Sequence, residues 1–137
     1  MAGPASFLYA GLLGLLLIAL SARVSILRRR LNVGLGTGTN DSMLQAVRAQ
    51  ANFTEYVPLA VLLLVLAEIT GLPSAAVHGA GILLLASRVL HARGLAESSG
   101  VTFGRFYGTA GTWLIIVGLS LWLLYATTAA SRFPAPG

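Results

Sequence analysis

No cysteine occurs in this chain, so disulfides, thiolate catalysis and thiolate metal sites are excluded together. Any thiol chemistry must use a thiol that a ligand brings. Lysine is absent as well, and only 4 residues are acidic, so the net charge of +5 comes from arginine alone. Charged residues make up 9% of the chain, where a soluble domain carries about 25%.

The spacing of those few charges sets the architecture. None falls from Met1 to Ala22, from Ile69 to Ser87, or from Phe106 to Ser131. Each gap accommodates the roughly 20 apolar residues that cross a bilayer core. The apolar run Tyr56 to Ala67 is too short to cross alone, so its span must take in the polar residues before it. The expectation is an all-α integral membrane protein, a bundle of four transmembrane helices over about 6–31, 42–68, 74–95 and 102–129, followed by a disordered tail at 131–137. The first apolar run resembles a signal peptide but lacks a basic start, and Arg28-Arg29-Arg30 follows it, so it is expected to be a retained span.

Eight of the 9 basic residues lie between Arg23 and Arg105. They sit at or beside the first and third connections, which the positive-inside rule places in the cytoplasm. Both termini are then on the non-cytoplasmic side. Topology accounts for the basic character, so nucleic acid is not an expected partner. The first connection carries Gly34, Gly36 and Gly38 but lacks the lysine and preceding strand of a phosphate loop. Its expected role is a turn. Ser42 with Gln45 reads as a capping box for the second helix, with Asp41 at its positive end. Gly11 and Gly14 suit close helix packing, and Pro58 is expected to bend the second helix. Trp113, Trp122 and Tyr125 read as lipid-facing or interfacial aromatics, and Glu68 as a solvated outer residue.

The informative residues are polar ones at membrane depth, which are costly to bury and so need a reason. On a helix turning about 100° per residue, Arg48, Asn52 and Glu55 share an arc of about 60°, with Gln50 on the opposite side. Gln50 therefore faces another helix or another subunit. Arg88 lies roughly 10 Å inside the third helix at 1.5 Å per residue, and Glu55 is its expected partner. His91 follows on the same face. The other histidine, His78, belongs near the opposite surface, so no metal site is expected. Arg23 and Arg105 complete a set in which four helices bring polar groups toward the cytoplasmic half. Cations outnumber anions, which suits a small ligand with carboxylates and one ammonium.

The run Arg48-Ala49-Gln50-Ala51-Asn52-Phe53-Thr54-Glu55-Tyr56-Val57-Pro58 resembles the second-helix motif of the MAPEG family, the membrane-associated proteins in eicosanoid and glutathione metabolism. The glycine-rich first connection is most similar to its small bacterial members. The resemblance implies a homotrimer in a bacterial inner membrane, binding glutathione as co-substrate between neighbouring subunits in the cytoplasmic half. By motif position, Arg48, Gln50, Asn52, Glu55 and Tyr56 would contact glutathione. Arg23 matches the helix-1 arginine, and His91 a position that the family fills with histidine or tyrosine. Arg88 belongs to the same region. Arg105 matches the helix-4 arginine that stabilises the thiolate, and so is the expected catalytic residue. Leu95 stands where the family has a tyrosine, which removes one contact.

The implied activity is a glutathione transferase or peroxidase acting on lipophilic electrophiles that arrive from the bilayer. The alternatives are a non-catalytic protein that keeps the fold, and a small four-helix exporter. Exporters of that kind carry a carboxylate in helix 1, and none is present here.

Overall fold

The structure, a computed structural model, describes residues 4–98 and 100–132. Four helices follow in order: α1 (Ala5–Leu31), α2 (Asp41–Ile69), α3 (Ser74–Glu97) and α4 (Phe103–Arg132). All four are long and apolar enough to cross a membrane. α4 continues through Arg132, past the end expected at 129. The rest of the expected tail, 133–137, lies outside the described residues.

The termini show how local chemistry sets these bounds. Asn40, rather than Ser42, caps α2: its side-chain oxygen accepts from the Met43 N–H at 3.1 Å. Asparagine in extended backbone is among the best caps, and starting one residue earlier leaves Asp41 in the first turn. At the other end, Leu72 N–H reaches back to the Ala67 carbonyl at 2.9 Å while Gly71 takes φ +92°, a left-handed stop that glycine permits. α1 ends likewise, with Asn32 left-handed and Val33 N–H on the Arg28 carbonyl. Arg28 also donates to the carbonyls of Val33, Gly34 and Gly36. This connection thus presents oxygens to a guanidinium, which is the wrong polarity for a phosphate cradle.

α2 and α3 form the middle of the bundle. α1 packs on both, α4 packs on both, and no contact joins α1 to α4 among the described residues. α3 and α4 approach most closely because glycines line their seam. A Cβ on Gly108 would lie 2.6 Å from the Ser87 carbonyl oxygen, and one on Gly104 would lie 2.6 Å from that of Leu90. Gly94 answers from α3, facing the Arg105 N–H. By contrast, Gly11 and Gly14 meet nothing within 4 Å, so the α1 glycines do not pack helices inside this chain.

At the end of the bundle where α1 begins, side chains tie it down. α1 has no cap of its own at Pro4. Instead the Glu68 carboxylate accepts from Ala5 N–H at 2.7 Å and Ser6 N–H at 2.9 Å, so Glu68, while still partly exposed, caps α1. The Tyr9 hydroxyl meets His78 Nδ1 at 2.8 Å, with the Tyr9 ring laid over Gly81. Trp122 donates to the Thr70 hydroxyl at 3.1 Å and so joins α4 to the end of α2.

Overpacking a tight seam costs about 1–3 kcal/mol. Gly108→Ala should lower the melting temperature in detergent even though alanine is the better helix former. Gly118→Ala, where a Cβ meets nothing within 4 Å, should leave it unchanged or higher. Equal behaviour of the two variants in a thermal melt would contradict the close α3–α4 seam.

Candidate functional site

Arg88 is the centre of the half of the bundle that holds the α1–α2 and α3–α4 connections. It is 2% exposed, and its guanidinium joins three helices. From α3 it donates to Asn52 Oδ1 on α2 at 2.8 Å and to the Gly108 carbonyl on α4 at 2.8 Å. The glycine seam is what brings that α4 carbonyl within reach. The Arg88 Nε is buried without a hydrogen-bond partner among the described residues.

The expected Glu55–Arg88 pair does not form. Glu55 is exposed, and Arg88 turns to an amide and a carbonyl. The reason is geometric: Glu55 lies on the outer edge of the α2 stripe, while Asn52, one turn earlier, faces α3. Among the described residues the buried Arg88 charge has no carboxylate beside it.

Next to Asn52 lies a hollow of about 430 Å³, within the roughly 300–1,000 Å³ typical of small-molecule sites. Asn52, His91, Arg105 and Thr109 supply its polar lining, and Val101, Phe106, Ala110 and Trp113 the apolar part. His91 is buried, held against Gly108 on α4. Arg105 stands at the rim, its guanidinium donating to the Gly100 carbonyl. Its N–H lies 3.3 Å from the Thr102 hydroxyl, which in turn donates to the Gly94 carbonyl at 3.0 Å. The start of α4, and with it Arg105, is thereby fixed to the end of α3.

The other expected site residues are not gathered into this hollow. Gln50 faces away from Asn52 and donates to the Ser21 hydroxyl of α1 at 2.9 Å, so the neighbour it meets within the chain is α1. Arg23 lines a separate hollow of about 520 Å³ with Arg30 and Ser42, sharing no lining residue with the first. Arg48 and Glu55 stand exposed on the surface of α2, and Tyr56 is half-buried. Among the described residues, Arg23 and Arg105 therefore line different hollows. α1 and α4 lie on opposite flanks of the α2–α3 pair, which keeps Arg23 from Arg105.

Two further residues bear on the hollow. Trp113 lines the hollow as well as being exposed. Its spacing with Phe106 and Ala110 (three, then four residues) was the available signal for one α4 stripe. Leu95 belongs to the apolar core and is absent from the hollow lining.

Comparison with known proteins places this architecture. The inner membrane protein YecN of Escherichia coli strain K12 is 35% identical over 122 residues, covering 87% of this chain and 92% of that protein. YecN of Escherichia coli O6:H1 strain CFT073 matches with the same identity and coverage. The profile of the MAPEG family matches residues 6–125. With four helices able to span a membrane, a family profile across nearly the whole of them and relatives named for the inner membrane, this chain is an integral membrane protein that belongs to the MAPEG family.

Proposed function

We propose that this protein is a glutathione-dependent membrane transferase or peroxidase that joins the glutathione thiolate to lipophilic electrophiles. One observation carries the reading: the hollow beside Asn52 sets two guanidinium groups, Arg88 behind it and Arg105 at its rim, with no carboxylate in its lining. A buried cation without a counter-charge is costly, and an anionic ligand offsets that cost.

Activation of the sulfur follows from the same charges. A free thiol has a pKa near 8.5, and an adjacent guanidinium favours the thiolate. A shift of about two units corresponds to roughly 2.7 kcal/mol of differential stabilisation. Arg105 is the group in this role, with the thiol proton passing to water. The sulfur electron pair then forms the new bond to the electrophile, whose leaving group departs or whose anion takes up a proton. The exposed aromatic edge of the hollow, Phe106 and Trp113, suits an apolar molecule arriving from the lipid.

The working assembly in this reading is a homotrimer in the bacterial inner membrane, with both termini on the non-cytoplasmic side. Glu55 supports an assembly. It sits 14 residues after the start of α2, about 21 Å along the helix, exposed and with no ion pair among the described residues. A carboxylate facing lipid at that position is expensive. A neighbouring subunit that covers this face brings its own Arg23 and Gln50 side toward Asn52, and Glu55 then receives the glutathione ammonium. Arg48 and Tyr56, on the same stripe, complete the seam.

A second reading, a non-catalytic protein that keeps the fold, is favoured by Leu95, whose place in the core removes the tyrosine contact of other family members.

Two measurements separate these readings. Arg105→Ala should lower turnover of a model electrophile at least tenfold while glutathione affinity changes far less. Unchanged turnover would refute the role given to Arg105. Co-assembling inactive Arg23→Ala subunits with inactive Arg105→Ala subunits should restore part of the activity, since some seams then carry both arginines. No recovery in verified mixed trimers would contradict a site shared between subunits.

A further inference from the structure

The Arg88–Asn52 hydrogen bond has a chemical consequence for what the hollow can hold. A guanidinium has five N–H donors and no acceptor. The Asn52 atom 2.8 Å from Arg88 must therefore be the carbonyl oxygen, whichever way an amide might otherwise turn. The Asn52 NH2 is then the end left over. It makes no hydrogen bond among the described residues, and Asn52 lines the hollow. Arg105 and the Trp113 indole likewise only donate. His91 and Thr109 can either donate or accept. Among the described lining residues none is an acceptor alone.

We propose that Arg88 is a positioning residue that locks the Asn52 amide with its donors toward the hollow, so that this hollow takes a carboxylate or other oxyanion and rejects an ammonium. Its application to glutathione rests on the reading above: a carboxylate enters the hollow, and the ammonium stays outside at Glu55. The donor polarity itself holds for any ligand. The apolar remainder of the lining, Val101, Phe106 and Ala110 among it, fits an oxyanion carried on an apolar body.

Asn52→Asp separates this proposal from a purely structural role for the pair. The carboxylate still receives Arg88, so the three-helix tie survives, but the hollow now faces an acceptor. Arg88→Gln is the companion variant, because its amide can donate or accept and no longer dictates the orientation of Asn52. The probes are octanoate and octylammonium, equal in apolar length and opposite in charge. Binding to the detergent-solubilised full chain is read from Trp113 fluorescence in a Trp122→Phe background, with Trp113→Phe as the blank. Wild type should prefer octanoate by roughly tenfold or more, the scale of one charge-assisted hydrogen bond. Asn52→Asp should erase or invert that preference without lowering the melting temperature, and Arg88→Gln should reduce it. Wild type that does not discriminate the two probes, or Asn52→Asp that still prefers octanoate, would overturn the proposal. A parallel titration with glutathione keeps the two readings distinct. Octanoate preference without glutathione binding leaves the donor hollow standing and removes the proposed function.

Discussion

The half of this bundle beside the α1–α2 and α3–α4 connections depends on one buried guanidinium. Arg88 joins α2 and α4 through hydrogen bonds to Asn52 and Gly108, at a place where an arginine without partners would be expensive. The tie requires an α4 carbonyl within reach, and the glycines at 104 and 108 provide it by removing the side chains that would hold the helices apart. Sequence, packing and site chemistry therefore converge on one contact. The glycine seam lets the buried charge be hydrogen-bonded by a backbone oxygen and an amide, with no carboxylate partner among the described residues.

The same contact divides labour among the polar residues. Asn52 and His91 are held from behind by α3 and α4, and Arg105 is fixed through Thr102 to the end of α3. These groups are preorganised within one chain. Arg23, Gln50, Arg48 and Glu55 are not, because they lie on faces that this chain leaves uncovered or commits to α1. In the proposed function, a ligand that spans both groups would meet them only where a second copy of the chain packs alongside.

The four spans were legible because charge-free gaps of sufficient length are nearly sufficient to define a transmembrane helix. The arc of Arg48, Asn52 and Glu55 was also legible, since helix geometry alone places residues on a face. Helix geometry does not say which neighbour that face meets, and the Glu55–Arg88 pairing failed on that point: charge complementarity favoured the carboxylate, while the inward edge of the arc belonged to Asn52. The capping role of Glu68 was missed for a related reason. Its partners are backbone N–H groups more than 60 residues away, and such groups leave no trace in a side-chain pattern. Nothing in the sequence singles out the α4 glycines at 104 and 108, because their role depends on which α3 atoms lie opposite.

In the proposed function this arrangement of guanidinium groups binds glutathione and holds its sulfur as thiolate near neutral pH. Ultraviolet difference absorbance during titration of the detergent-solubilised protein with glutathione tests it most directly, because thiolate absorbs where thiol does not. The account predicts a saturable thiolate signal at a pH at least one unit below the ordinary thiol pKa of about 8.5. Saturable glutathione binding with no thiolate signal until the pH approaches that ordinary value, or no binding at all, would contradict it.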